Sequence, residues 1–142
     1  MGCENLTTLP ESMGNLTQLT ELGLMGCESL TTLPESIGKL TQLTELDLRG
    51  CEKLTMLPES IQQLTKLDNG SLLSIANIFY REKQYPQAKT YYLKIRQSSF
   101  KYGNLLYFFA QIRLALIYAK DKVWENLIQY FQLSNFLFFL TY

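Results

Sequence analysis

At 142 residues the chain is long enough for one ordinary domain or two small ones, and 46% hydrophobic with 18% charged residues excludes a disordered segment. The formal net charge is zero, yet residues 1–70 carry ten acids against four bases, and residues 71–142 carry three acids against nine bases. This asymmetry favours two modules of different origin; the bases Arg81, Lys83, Lys89, Lys94, Arg96 and Lys101 are spread along a helical pattern and not clustered, which excludes a nucleic-acid footprint.

The first half is a repeat of 24 residues. Gly2 to Met25 reads GCENLTTLPESMGNLTQLTELGLM, Gly26 to Arg49 reads GCESLTTLPESIGKLTQLTELDLR, and Gly50 starts a third copy that stops at Leu67. A fixed period of this size predicts a solenoid, in which no unit has a core until its neighbours stack on it. Leu46-Asp-Leu48 alternates as a half-buried strand does, and the stretch from Thr32 to Leu40 switches to spacings of three and four. Pro34 fits the start of a helical turn, where its missing N–H costs nothing. One strand and one helical turn are therefore expected per copy. Glu11, Glu35 and Glu59 recur at one repeat position and read as a surface column.

These residues resemble the leucine-rich repeat, whose pattern Leu43-Thr-Glu-Leu46-Asp-Leu48-Arg-Gly-Cys51-Glu-Lys-Leu54 fills. The following Leu57-Pro-Glu-Ser-Ile61 resembles the variant of plant intracellular immune receptors and of related bacterial and algal proteins. The resemblance implies that the strands line a concave face and that this face contacts a partner. Its solvent-facing positions are Glu21, Gly23 and Met25, then Glu45, Asp47 and Arg49; Glu21, Met25, Glu45, Asp47 and Arg49 are the candidate binding residues. Two strands offer well below the ~800 Å² per partner of a standard interface. Cys3, Cys27 and Cys51 share one repeat position, and the resemblance implies an internal ladder of reduced thiols satisfying turn backbone. Zinc sites use paired ligands at short spacing, so no metal is expected.

The third copy breaks off after Leu67, where Asp68-Asn-Gly-Ser71 stands in place of Thr-Glu-Leu-x-Leu. Asn-Gly is a turn signal, and the domain boundary is placed here: residues 1–68 as about three leucine-rich repeats without an N-terminal cap, residues 69–142 as helical. From Ser71 the residues Ile75, Ala76, Phe79, Tyr85, Ala88, Tyr92 and Ile95 fall at the spacing of two antiparallel helices joined through Glu82 to Tyr85, with Pro86 opening the second. This pattern resembles a tetratricopeptide repeat. Ala115, Tyr118, Trp124 and Phe131 resemble a second copy, with Leu127 where the first has Ala88. The resemblance places Asn77, Tyr80 and Arg81 along the groove of the first helices as further protein-binding candidates. Leu73 and Leu116 occupy positions where a carboxylate clamp would need polar groups, which argues against that clamp.

The expected fold class is thus mixed α and β: a short leucine-rich-repeat solenoid followed by all-α tetratricopeptide-like hairpins. The chain has no His, which removes Ser-His-Asp, Cys-His and most metal arrangements together. It has no phosphate-binding glycine loop either. The expected function is a non-catalytic protein–protein interaction scaffold, by resemblance part of a signalling or defence receptor, with no cofactor and with a protein or peptide as partner. Two alternatives stand beside it. One is a truncated or vestigial piece of a larger array, prone to self-association through uncapped ends. The other is membrane association through the aromatic stretch ending in Phe136, Phe138 and Phe139, against which Gln129, Gln132 and Asn135 argue. Gly-Cys-Glu-Asn after Met1 has neither a basic start nor an apolar run, so a cytoplasmic location is expected.

Overall fold

A computed structural model describes Cys3, residues 5–98 and residues 105–120. The repeat folds as three stacked coils. Each carries one 3-10 helical turn, at Glu11–Asn15, Glu35–Lys39 and Glu59–Gln63. The first two also carry a three-residue strand, β1 (Glu21–Gly23) and β2 (Glu45–Asp47). Three helices follow: α1 (Asn69–Arg81), α2 (Tyr85–Ser98) and α3 (Leu105–Lys120). Pro10, Pro34 and Pro58 sit immediately before the helical turns in extended conformation, so the proline ring ends the incoming segment and its missing N–H is never called upon.

The strands are parallel, with Glu21 opposite Glu45, Leu22 opposite Leu46 and Gly23 opposite Asp47. The same offset of one repeat governs the loops: Thr31 N–H donates to Thr7 O at 3.0 Å and Thr44 N–H to Thr20 O at 2.8 Å. Threonine side chains reinforce this ladder, Thr31 Oγ1 donating to Thr7 O and Thr44 Oγ1 to Thr20 O. Inside, equivalent leucines form columns. Leu30, Leu40, Leu43 and Leu46 of the middle coil are fully buried, whereas Leu16 of the first coil is 54% exposed. A coil acquires its core from the neighbours on both sides.

The column of glutamates is not merely surface. Glu11 accepts the backbone N–H groups of Glu35 (3.2 Å) and Ser36 (3.1 Å), and Glu35 accepts that of Ser60 at 3.4 Å. Each carboxylate therefore caps the helical turn of the next coil, where the N-cap proline has no side-chain acceptor to offer. The cysteine column is equally internal at two of its three places: Cys27 and Cys51 are buried, and Cys51 Sγ donates to Leu24 O at 3.2 Å, while Cys3 is exposed. Burial pushes both buried thiols up from their ordinary value, keeping them protonated.

Asp68-Asn-Gly-Ser71 does not form the expected turn, and the coil stack does not end open at Leu67. Asp68 is the N-cap of α1: its side chain accepts Ser71 N–H at 2.8 Å and Ser71 Oγ at 2.5 Å, and Asn69-Gly70 are the first helical residues. The helix starts on the ladder itself. Asp68 N–H donates to Thr44 O at 2.8 Å, as a third strand would, and Ser71 Oγ then accepts Leu46 N–H at 2.7 Å. Helix α1 thereby closes the open edge of β2 and covers the last coil, whose Leu54, Ile61, Leu64 and Leu67 are all buried. Arg81 at the far end of α1 donates to Leu54 O.

Helices α1 and α2 form a hairpin. Ala76 and Ala88 are fully buried and permit close approach; Phe79 stacks on Tyr91 at 5.6 Å, and Tyr92 OH donates to Asn77 Oδ1 at 2.7 Å. Helix α3 packs on α2 through Ala110, Leu114 and Ile117, and leaves Phe109, Ile112 and Leu116 exposed. Ala115 and Tyr118 lie half-buried on α3; Trp124, Leu127, Phe131 and the aromatic stretch Phe136 to Phe139 lie outside the described residues.

The stacking predicts a sharp contrast between two glycines. A Cβ on Gly38 would lie 2.6 Å from Ser60 Cβ and 2.7 Å from Ser60 O, whereas one on Gly23 would meet nothing within 4 Å. Gly38→Ala should destabilise the chain by about 1–3 kcal/mol in urea unfolding, and Gly23→Ala should change stability by no more than a few tenths, ~0.5 kcal/mol at most.

Candidate binding face and cleft

The residues singled out in the sequence fall on two connected surfaces. Glu21 and Glu45 are exposed on the strand face at directly opposed register positions. Met25 extends the same face and is 59% exposed. Arg49 is exposed, but Asp47, expected to face solvent, keeps only 14% of its side chain exposed because the Arg49 guanidinium lies on it: Arg49 Nε donates to Asp47 Oδ1 at 2.8 Å and Nη2 to Oδ2 at 2.6 Å. These hydrogen bonds from Arg49 hold the Asp47 carboxyl below its ordinary value of 3.8. The acidity of the face therefore comes from Glu21 and Glu45, while Asp47 is neutralised by a fork that Arg, unlike Lys, can supply.

Arg49 also reaches the second surface. A cleft of about 660 Å³ opens between the turn after β2 and the helices, lined by Leu48 to Glu52 on one side and by Asn77, Tyr80, Arg81 and Arg113 on the other. Sequence reasoning assigned Arg49 to the strand face and Asn77, Tyr80 and Arg81 to a separate helical groove; the fold brings all four to one cavity, because α1 docks against the edge of β2. Their commitments differ. Arg81 is engaged within the chain, donating to Leu54 O and to Glu82 Oε1. Tyr80 is half-buried, with Tyr85 edge-on at 5.5 Å and Tyr92 at 6.5 Å. Asn77 has its carbonyl oxygen occupied by Tyr92 OH, so the amide N–H groups are what it offers outward.

Arg113 on α3 was not found by sequence reasoning. Its guanidinium lies 4.6 Å from the Tyr80 ring centre, a cation–π contact that orients the group without consuming its hydrogen-bond donors. No local pattern could have exposed it, since its role depends on how α3 lies across the hairpin. Among the described residues no cluster of His, Cys, Asp and Glu could hold a metal ion, and no helix is long and apolar enough to cross a membrane.

The stretch from Gln42 to Leu64, which holds β2, the Gly50 turn and the third helical turn, matches the family model of the Leucine Rich Repeat. Residues 42–64 are a leucine-rich repeat. No curated protein and no solved structure matches the chain. Leucine-rich repeats are ordinarily non-catalytic and bind proteins or peptides, and the coil preceding this one shares its backbone register.

The Asp47–Arg49 pair has a pH signature. Asp47 has a lowered pKa in the folded chain, so its contribution to stability is present above the unfolded carboxylate value and is lost as pH falls through the lowered one. Asp47→Asn should be less stable than the wild type at neutral pH, and thermal melts on acidification should show the difference closing below pH 3.8, the ordinary Asp value.

Proposed function

We propose that this chain is a non-catalytic protein-interaction scaffold, a short leucine-rich-repeat solenoid over residues 1–68 joined to tetratricopeptide-like hairpins over residues 69–142. The observation that carries the reading is the leucine-rich repeat at residues 42–64, whose strand exposes Glu45 in register with Glu21 and is followed by the exposed Arg49. Two glutamates at opposed register positions offer a basic group of a partner a place to bind on this face. Two three-residue strands are too small for a standard interface, so the contact extends from Met25 and the strand face across Arg49 to Asn77 and Tyr80 on α1. The hairpin supports the tetratricopeptide reading through its small pair Ala76 and Ala88 and its aromatics Phe79, Tyr85 and Tyr92. In a larger parent such a surface would serve a signalling or defence receptor, working in the cytoplasm.

Site-specific photo-crosslinking tests this reading. A photoreactive side chain at Glu21 or Glu45 should capture partner proteins several-fold more efficiently than one at Gln62, which is exposed on the third helical turn. Equal yields at the three positions would overturn it.

A further inference from the structure

Coils and helices carry opposite charge. Residues 1–38 hold five acids and no base, and from Lys83 to Lys120 there are seven bases and no acid. The ion pairs among the described residues, Asp47–Arg49 and Glu82–Arg81, each lie within one half and do not join the two. On the coil stack Glu11 and Glu35 are engaged as caps, whereas Glu21 and Glu45 are exposed at opposed register positions and Glu28 is exposed in the turn after β1. On the helices, lysines gather where the α1–α2 turn meets the end of α3. Lys83 is exposed in the turn, Lys89 Nζ lies 4.3 Å from the Tyr118 ring centre, and the exposed Lys120 donates to Tyr85 OH with its Nζ 4.4 Å from that ring centre. The rings orient these ammonium groups without neutralising them.

We propose that the partner of the strand face is a second copy of this chain, whose lysine cluster at Lys83, Lys89 and Lys120 docks head to tail on Glu21, Glu28 and Glu45. The proposal names a partner for the interaction reading above and rests on it. Charge complementarity selects a second copy: the chain is neutral as a whole, so copies do not repel at long range, and each presents both an acidic and a basic surface. Exposed ion pairs are individually weak, so association depends on the summed fields of the two surfaces and is screened by salt. Met25, exposed on the same face, supplies an apolar contact for the tyrosine rings that carry the lysines. The two docking surfaces lie at different places on the chain. A copy can therefore hold one neighbour on its strand face and offer its lysines to another, which produces chains or rings of copies.

Sedimentation velocity on the full chain provides the test. At about 0.05 M salt the mean mass should rise with protein concentration, and at about 0.3 M it should return to that of the monomer. The double reversals Glu21→Lys with Glu45→Lys, and Lys89→Glu with Lys120→Glu, should each weaken association by about tenfold or more. An equimolar mixture of the two variants should associate again, because each then meets the opposite charge on the other; this recovery also shows that both are folded. A wild type that stays monomeric at low salt, or association indifferent to both reversals, would overturn the assignment. So would a mixture that stays monomeric although both variants melt as the wild type does. A monomeric wild type that bound phosphatidylserine vesicles through Lys89 and Lys120 would give the lysines to a membrane and sink the proposal. Crosslinking of other proteins at Glu45 by a monomeric chain would leave the interaction reading standing and the second-copy assignment fallen.

Discussion

Thr44 is bonded on both sides at the same distance along the chain: its N–H donates to Thr20 O, and its carbonyl accepts the N–H of Asp68. This one-repeat offset is the constraint on which the rest of the structure depends. It aligns the leucines into buried columns, sets Glu11 and Glu35 over the helical turns they cap, and brings Cys51 to the carbonyl of Leu24. It also forbids a side chain at Gly38, which must pass against Ser60. A ladder of this kind has one weakness, since its last strand presents unpaired backbone groups. Here the chain answers by leaving the repeat one strand early. The buried hydroxyl of Ser71 takes the Leu46 N–H that a third strand would have bonded, and an unmet buried donor would otherwise cost about 1–3 kcal/mol.

That substitution of helix for strand also creates the cleft. Docking of α1 on the edge of β2 carries Asn77 and Tyr80 to the turn that holds Arg49 and Cys51, and α3 adds Arg113 from the far side. The charge asymmetry of the sequence becomes spatial: carboxylates on the strand face, guanidinium groups in the adjoining cleft.

The repeat was legible because its first two copies state the pattern in full: Leu46 and Leu48 alternate, and Pro34 stands where its ring is harmless. The helices were legible from the spacing of Ile75, Ala76, Phe79, Ala88 and Tyr92. The junction was not. Asp, Asn and Gly are favoured both in turns and at helix starts, so Asp68-Asn-Gly-Ser71 looked like a break when its first residue was an N-cap. Glu11 and Glu35 looked like exposed charge because a cap in the neighbouring coil is invisible to any local window. Arg113 was hidden for the same reason, its site being assembled from segments far apart in sequence.

Helix α1 continues the ladder and closes it through Ser71. Hydrogen exchange at the Leu46 amide tests it most directly. With no strand on its outer side, this amide should nonetheless be protected to the level of the coil core in the wild type. In Ser71→Ala it should exchange orders of magnitude faster while Thr44, bonded inward to Thr20, keeps most of its protection. A Leu46 amide that exchanges as an exposed group in the wild type, or one indifferent to the substitution, would contradict it.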